Sequence, residues 1–180
     1  MLFLYVLILL LLLVVTIIFI LIMLFQIIAI FTTDAPFVPV PNGVENEIVE
    51  NLELTSESIL YDLGCGDGRV LIAAVKKFPN ITAVGVEKGL FPYYIAKWKT
   101  RKFQNIKIKR EDIFKTDFSD ATHVFTYLYP EVINRLTIPE GILFASADFK
   151  LNNIPPAKVI ELHSNSKRGR KLFLYESAGL

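Results

Sequence analysis

A glycine-rich turn between an apolar run and a helical pattern is the feature that most restricts the fold of this 180-residue chain. Residues 61–69 read Tyr-Asp-Leu-Gly-Cys-Gly-Asp-Gly-Arg. Three glycines at alternate positions permit positive φ, and a helix that starts directly after them presents free N–H groups. A strand, such a turn and a helix in this order predict an α/β fold whose main chain binds a polar ligand at the turn.

Short β-rich runs alternate with helical patterns over the rest of the chain, which is typical of a parallel sheet covered by helices. The predicted helices are residues 70–78, 91–103 and 130–136. The predicted strands are residues 58–63, 81–87, 106–110, 122–129, 141–147, 157–162 and 172–176. The last two, joined by a polar stretch, predict an antiparallel hairpin. We therefore expect a Rossmann-like, seven-stranded α/β sheet with a C-terminal antiparallel hairpin, preceded by one transmembrane helix.

The spacing of the turn distinguishes between two kinds of cofactor. The dinucleotide fingerprint requires glycine or alanine three residues after its second glycine, and here Arg69 stands three residues after Gly66. The remaining pattern, D-x-G-x-G-x-G, is the form associated with S-adenosyl-L-methionine sites. It predicts a turn that binds the methionine part of this cofactor through Asp62, Gly64, Cys65, Gly66 and Gly68. The alternative is a glycine-rich turn without a ligand.

Two further acids follow strands in the order that such a cofactor requires. Glu87 ends the second strand of the fold, where a carboxylate can accept hydrogen bonds from both ribose hydroxyls. Asp112 lies just beyond the third strand and could accept from the adenine amino group, while Ile113 covers the ring. The alternative for each acid is a solvated residue at the end of a strand or in a loop.

The N-terminal segment predicts a membrane anchor. Residues 1–33 carry no charge and are almost entirely apolar, and a bilayer core about 30 Å thick needs roughly 20 helical residues. The competing interpretation is a signal peptide, which has a basic start and an apolar core of only about 7–15 residues. No Lys or Arg precedes Arg69, so the positive-inside rule cannot orient the segment.

The anchor is followed by a segment that predicts a linker and a domain boundary. Residues 34–43 contain three prolines, which favour an extended path over a helix. Beyond them, a short amphipathic helix is expected to start near Val44 with Asn42 as its N-cap. The predicted organisation is a transmembrane anchor (1–33), a Pro-rich linker (34–43) and one globular domain (44–180).

Composition limits the partners and cofactors. The net charge of +1 argues against a domain that holds nucleic acid by a strong basic field, and we expect no nucleic-acid partner. The basic stretch 97–110 is interpreted as solvated helix and strand faces, with contact to anionic lipid or RNA as the alternative. One cysteine and two distant histidines predict no metal site. Cys65 is interpreted as a small filler at the turn.

These motifs together resemble a known family, the protein-lysine N-methyltransferases that include archaeal broad-specificity enzymes and membrane-anchored enzymes that modify the c-type subunit of ATP synthase. The resemblance covers about residues 36–150 and departs at residues 88–90, where the family often has a polar residue after the second-strand acid. It implies an S-adenosylmethionine-dependent methyltransferase whose Pro-rich segment, through Phe37, Val38 and Pro39, covers the cofactor and helps form the substrate entrance. The matching segments are Pro-Phe-Val-Pro-Val-Pro (36–41), residues 61–69 with Ile-Ala-Ala (72–74), Ala-Val-Gly-Val-Glu (83–87) and Glu-Asp-Ile-Phe (111–114).

The acceptor side of the site is predicted at the end of the fourth strand. Open α/β sheets place reacting groups at the carboxyl ends of their strands, and Tyr127 and Tyr129 follow that strand. Tyr127 is the candidate for a channel that desolvates a lysine amine and holds it against an aromatic ring. The alternative is that at least one of the two tyrosines is buried in the core.

The expected function is methyl transfer to lysine side chains of a membrane-associated protein, since a tether favours partners in the same membrane. Two alternatives stay open: a methyltransferase for a lipid headgroup or small amine, and a non-catalytic protein that binds the cofactor at a membrane. A single-pass protein with its catalytic domain on the cytoplasmic side is expected, because S-adenosylmethionine is made there.

Overall fold

The structure, a computed structural model, describes residues 2–32, 39–163 and 168–176, with the side chains of the first range described up to residue 26. The chain divides into two compact units, Met1–Pro36 and Phe37–Leu180. In the first unit, one helix, α1, runs from Leu2 to Thr32. Its stretch Leu2–Gln26 has a mean hydropathy of 3.7 and is not buried, so it is long and apolar enough to cross a membrane by length and composition.

The second unit is built on a seven-stranded sheet in the order β3-β2-β1-β4-β5-β7-β6. Strands β1 to β5 are parallel neighbours, whereas β7 runs antiparallel to both β5 and β6. The predicted Rossmann-like sheet with a C-terminal hairpin is therefore confirmed. The strands are β1 (Ile59–Leu63), β2 (Thr82–Val86), β3 (Ile106–Lys109), β4 (His123–Thr126), β5 (Leu143–Ala147), β6 (Lys158–Glu161) and β7 (Lys171–Glu176).

Four helices accompany the sheet: α2 (Val44–Asn51), α3 (Arg69–Lys77), α4 (Leu90–Thr100) and α5 (Pro130–Ile133). The prediction of Asn42 as the N-cap of α2 was wrong. Gly43, with φ 89°, occupies that position and supplies no side-chain hydrogen bond. The Asn42 side chain accepts instead from Arg69, at 2.9 Å, because the partner it finds in the tertiary structure is a charged donor.

Side-chain alternation along the buried parallel strands produces one core on each face of the sheet. Leu60 belongs to the core that α2 and α3 cover, and the adjacent Tyr61 belongs to the core on the opposite face. The same alternation separates Ala83 from Val84 in β2. The two covered faces leave the carboxyl ends of the parallel strands as the edge where loops can form a site.

Two elements are shorter than the sequence patterns predict. Strand β4 ends at Thr126, three residues before the predicted limit, and α5 is a single turn. Tyr127 and Tyr129 consequently lie in the loop that follows β4, with Tyr129 as the N-cap residue of α5. This loop frees both rings from strict strand alternation, so that neither must point into a core.

Candidate active site

A cavity of about 280 Å³, counting the space open to solvent, lies at the carboxyl ends of β1 and β4. Its lining includes Asp62 from β1, the backbone and side chain of Cys65 in the turn, Pro39 before α2, and Tyr127 after β4. The cavity therefore brings together the predicted cofactor turn, one residue of the predicted cover and the predicted acceptor residue. Phe37 and Val38, the other two residues of that cover, lie outside the described residues.

The glycine turn is held to the neighbouring strand by its own backbone. The N–H groups of Gly64 and Cys65 both donate to the carbonyl oxygen of Val86, at 2.8 and 3.0 Å. Gly64 has φ 80°, and a Cβ on it would lie 2.8 Å from a methyl carbon of Leu128. The space left by the absent side chain is thus filled by the protein, and our expectation that it serves the ligand is wrong at this position.

Gly68 ends the turn and joins it to two helices. It is the N-cap residue of α3, with φ 76°, and a Cβ on it would lie 3.2 Å from Cγ2 of Thr100 in α4. Glycine at this position thus permits both the positive φ and the close approach of α4. Its structural role is to pack the turn against α4, and any ligand contact would come from its main chain.

Glu87 connects the turn to the end of β2. One carboxylate oxygen accepts from the Gly66 N–H at 3.0 Å, and the other accepts from the Gly89 N–H at 2.7 Å. Burial raises the pKa of Glu87, and the backbone hydrogen bonds from Gly89, Gly66 and Lys88 oppose that rise. Each oxygen retains further accepting capacity, which is the property that a ribose diol requires.

Asp62 is the most deeply buried acid of the site and lines the cavity. Burial raises its pKa well above the ordinary value, and the negative charges of Glu87 and Asp67 add to the rise. A buried carboxylate beside two other acids is stabilised by a bound cation. S-adenosylmethionine carries an ammonium and a sulfonium group, so the charge of this site fits that cofactor.

The thiol of Cys65 packs into the protein. Its Sγ would lie 2.7 Å from a Cβ placed on Gly85 of β2, and burial, with Asp62, Glu87 and Asp67 nearby, raises its pKa well above the ordinary value. A thiol with a raised pKa is a poor nucleophile, which agrees with its interpretation as a small filler.

Asp67 and Arg69 form an ion pair that the sequence analysis did not identify. Arg69 donates to both carboxylate oxygens of Asp67 at 2.9 Å, and Lys99 donates to the same carboxylate at 2.6 Å. Burial alone would raise the pKa of Asp67, but the hydrogen bonds from Arg69 and Lys99 lower it to about 2. Arg69 also donates to the Val40 carbonyl oxygen, at 2.5 Å, and to the Asn42 side chain. It thereby connects the Pro-rich segment to the cofactor turn.

The third predicted acid lies outside the cavity lining. Asp112 accepts from the Phe114 N–H at 3.1 Å and pairs with Lys88 at 3.3 Å, and these contacts lower its pKa. Ile113 is half-buried against the core on the face of Tyr61. Asp112 thus approaches the end of β2 through Lys88, beside Glu87.

An aromatic cluster borders the cavity on the acceptor side. The rings of Tyr127 and Phe149 are stacked with centroids 6.4 Å apart, and the Tyr129 ring lies 5.5 Å from Phe149. The Tyr127 hydroxyl donates to Asp148 at 3.1 Å. Burial, followed by the negative charge of Asp148, raises the pKa of Tyr127 to about 12, so the phenol is neutral at physiological pH.

Asp148 and Phe149 were missed by the sequence analysis. They directly follow β5, and an acid and an aromatic residue at the carboxyl end of a parallel strand are the signal that could have identified them. Asp148 has φ 61°, uncommon for a residue with a side chain. Its carboxylate also accepts from the N–H groups of Gly169, Arg170 and Lys171 before and at the start of β7.

Within residues 2–32, 39–163 and 168–176, no cluster of three or more His, Cys, Asp or Glu side chains is arranged to hold a metal ion.

The chain is similar to proteins of known class. A family model described as the ANTKMT methyltransferase domain matches residues 62–158. A protein-lysine N-methyltransferase of Saccharolobus islandicus is 29% identical over 155 residues, which cover 81% of this chain and 95% of that protein. The human lysine N-methyltransferase of the ATP synthase C-type subunit is 32% identical over 104 residues, covering 56% of this chain and 43% of the human protein. The match thus spans less than half of the human enzyme.

A similar solved structure has the same fold over nearly its whole length. The RNA methyltransferase of Salinibacter ruber, in complex with S-adenosyl-L-homocysteine, superposes with a TM-score of 0.69 at 26% identity. The match covers 77% of this chain and 92% of that one. S-adenosyl-L-homocysteine is S-adenosylmethionine without its methyl group, so the bound molecule in that structure is the product of methyl transfer.

Proposed function

The chain belongs to the ANTKMT methyltransferase domain family, and from this membership we propose that it methylates lysine side chains of a membrane-associated protein. It is an S-adenosylmethionine-dependent methyltransferase. The observation that carries the proposal for the acceptor is that Asp62 and Tyr127 line one cavity. An acid suited to a cationic cofactor and an aromatic ring suited to an amine are thus close enough to act on one pair of reactants.

On the cofactor side, the proposed contacts are those of the turn and the two following acids. Asp62 would neutralise the charge of the methionine part, the main chain of Gly64, Cys65, Gly66 and Gly68 would line it, and Glu87 would accept from the ribose. Asp112 and Ile113 are proposed for the adenine. The buried, mutually repelling carboxylates of Asp62 and Glu87 support this assignment, because a bound cation relieves their repulsion.

On the acceptor side, the proposed contact is the aromatic cluster of Tyr127, Tyr129 and Phe149. A lysine side chain has an unperturbed pKa of about 10.4, so its amine must lose a proton before it can act as a nucleophile. Entry between aromatic rings removes water from the ammonium and lowers its pKa. The nitrogen then takes the methyl group from the sulfonium as the carbon–sulfur bond breaks. Orientation and exclusion of water are the contributions that the protein makes.

The proposal for the membrane is based on α1. Its uninterrupted apolar stretch, Leu2–Gln26, is long enough to span a bilayer. We propose residues 1–33 as a single-pass anchor, 34–43 as the linker that also covers the cofactor through Phe37, Val38 and Pro39, and 44–180 as the catalytic domain on the cytoplasmic side. Tethering raises the effective concentration of the enzyme for lysines at the same membrane.

The test uses the full chain in nanodiscs, incubated with methyl-labelled S-adenosylmethionine and membranes from its own source. We expect methyl-lysine in a membrane protein, and no label with the Glu87→Ala variant. Glu50→Ala is the matched control, because Glu50 is an exposed acid whose contact is a surface pair with Lys77, and it should label as the parent does. Label in extracted lipid or in RNA alone would contradict the lysine substrate and leave the methyltransferase activity standing.

A further inference from the structure

Helix α4 exposes a row of large aromatic side chains. Phe91, Tyr94 and Trp98 are 63%, 60% and 64% exposed, and their spacing of three and four residues places them on one side of the helix. Within 39–163 and 168–176, this helix holds four of the seven large hydrophobic residues that are exposed. They are Leu90, Phe91, Tyr94 and Trp98, against Phe114, Tyr129 and Val159 elsewhere. A concentration of this kind marks an interaction surface.

The same helix and the strand after it form the most basic part of the chain. From residue 90 to residue 110 there is no acid. The basic residues of this stretch are Lys97, Lys99, Arg101, Lys102, Lys107, Lys109 and Arg110. The formal net charge of the whole protein is only +1, so this local excess is a property of the α4 edge and is not general.

Three of these cations lie next to the aromatic row. The Arg101 guanidinium carbon lies 4.4 Å from the centroid of the Trp98 ring, and Lys97 Nζ lies 5.6 Å from that of Tyr93. Lys97, Arg101 and Lys102 are all exposed. Lys99 is different, because it pairs with Asp67 of the cofactor turn. The exposed side of α4 therefore combines apolar rings with cations, whereas Lys99 serves the opposite side.

We propose that the exposed side of α4, formed by Phe91, Tyr94 and Trp98 with Lys97, Arg101 and Lys102, docks on the anionic surface of a lipid bilayer. Aromatic rings favour the interface between headgroups and acyl chains. Each basic side chain near an anionic surface adds about 1 kcal/mol of attraction. The inference rests on the membrane anchor of the proposed function and adds a second contact with the same membrane.

A lipid surface is favoured over RNA because of α1. Rings flanked by cations also suit single-stranded nucleic acid. However, α1 is apolar enough to insert into a bilayer, and a domain tethered to a bilayer meets lipid headgroups at high effective concentration. Weak docking on lipid is sufficient under this condition, whereas RNA would have to bind from solution.

Docking would also connect the membrane to the cofactor site. The buried side of α4 presents Ala96 and Thr100 to Gly68, where a Cβ would lie 3.6 and 3.2 Å from them. Lys99 reaches Asp67 in the same turn. The lipid surface and the cofactor turn would thus contact opposite sides of one helix, and docking would hold the catalytic unit in one orientation towards the bilayer.

The chain contains one tryptophan, so Trp98 reports on this surface without any labelling. The full chain would be reconstituted into vesicles of phosphatidylcholine and phosphatidylglycerol, with and without brominated acyl chains, and separated by flotation. We expect Trp98 emission to shift to the blue, to be quenched by brominated lipid and to be protected from acrylamide. Replacing Lys97, Arg101 and Lys102 with Gln should weaken docking roughly fivefold for each charge removed.

The matched control replaces three exposed lysines elsewhere, Lys76, Lys115 and Lys158, with Gln, and it should leave the quenching unchanged. A chain that floats with vesicles while Trp98 remains accessible to acrylamide and unaffected by bromine overturns the docking and leaves the anchor intact. A chain that does not float overturns both, and methylation measured in detergent separates that result from loss of the enzyme activity. Protection of Trp98 by an oligonucleotide instead of by lipid overturns the proposal in favour of RNA.

Discussion

The hydroxyl of Tyr127 donates a hydrogen bond to Oδ2 of Asp148, at 3.1 Å, and so joins the loop after β4 to the residue that follows β5. The same carboxylate accepts three backbone N–H groups at residues 169–171. One acid thereby fixes both the aromatic ring that borders the cavity and the start of β7. Because its oxygens are engaged by these donors, Asp148 acts as a positioning residue for Tyr127.

The ring of Tyr127 is expected to matter more than its hydroxyl. Tyr127→Phe keeps the stack on Phe149, whereas Tyr127→Ala removes it. A cation–π contact contributes about 0.5–2 kcal/mol, so we expect Tyr127→Ala to lower kcat/KM roughly tenfold to thirtyfold and Tyr127→Phe to remain within about threefold. Steady-state kinetics with a lysine-containing acceptor provides the measurement. Equal losses in the two variants would show instead that the hydroxyl takes part in the reaction.

Removal of Asp148 is expected to affect both stability and the ionisation of Tyr127. Asp148→Ala leaves three N–H donors and a phenol without their acceptor, at a cost of about 1–3 kcal/mol for a buried group. Since burial and then Asp148 raise the pKa of Tyr127 to about 12, the variant should bring that pKa closer to 10. Denaturant unfolding and tyrosine-selective NMR titration measure the two effects. Asp148→Asn, which keeps an acceptor oxygen, should lose less stability, and an unchanged Tyr127 pKa in both variants would refute the coupling.

Asp62 is expected to weaken the folded state while it strengthens cofactor binding. Its pKa is raised in the folded protein by burial and by Glu87 and Asp67. An acid of this kind lowers stability as the pH rises from about 4 towards its raised pKa. Asp62→Asn cannot ionise, so it should melt at a higher temperature than the parent at pH 8, by roughly 2–4 °C for each kcal/mol relieved, and the difference should disappear near pH 4.

The same variant should bind S-adenosylmethionine more weakly, because it cannot neutralise a cation. Hydrogen bonds to charged groups contribute about 1.5–3 kcal/mol, which corresponds to a rise in Kd of roughly tenfold to a hundredfold. Calorimetry on the full chain in nanodiscs measures the affinity. Asp117→Asn, at an exposed acid, is the control and should change neither quantity. Unchanged affinity in Asp62→Asn would remove Asp62 from the cofactor site.

Arg69 is expected to hold the Pro-rich segment over the cavity. Its guanidinium contacts Asp67, Val40 and Asn42 at once, and lysine cannot reproduce this planar set of donors. Arg69→Lys should therefore increase hydrogen exchange at residues 39–43 and raise the Kd for S-adenosylmethionine roughly tenfold, the effect of losing about 1.4 kcal/mol.

Lys77→Gln is the control for this change, since it removes only the exposed pair with Glu50, which is worth at most about 1 kcal/mol. Hydrogen exchange at residues 39–43 that does not respond to Arg69→Lys would show that the segment is held by other contacts.

The central part of the site was predictable because its signals are local. The turn at residues 61–69 is one contiguous segment, and alternation of strand and helix patterns indicates a parallel sheet wherever both faces are buried. The position of Glu87 at the end of β2 follows from the same pattern. Asp148 and Arg69 were not identified, because their partners lie 21 and 29 residues away in sequence, and no periodicity relates such distant residues.

By itself, the sequence determined the α/β class, the glycine turn with its S-adenosylmethionine chemistry and the apolar N-terminal helix, since each depends on neighbouring residues within one segment. The tertiary structure alone decided which side of α4 is buried. The pattern of that helix offers both small residues and large rings for burial, and Ala96 and Thr100 face inwards because Gly68 leaves space only for a close approach. The rings of Phe91, Tyr94 and Trp98 therefore remain outside, since packing depends on the shape of the neighbouring surface as well as on hydrophobicity.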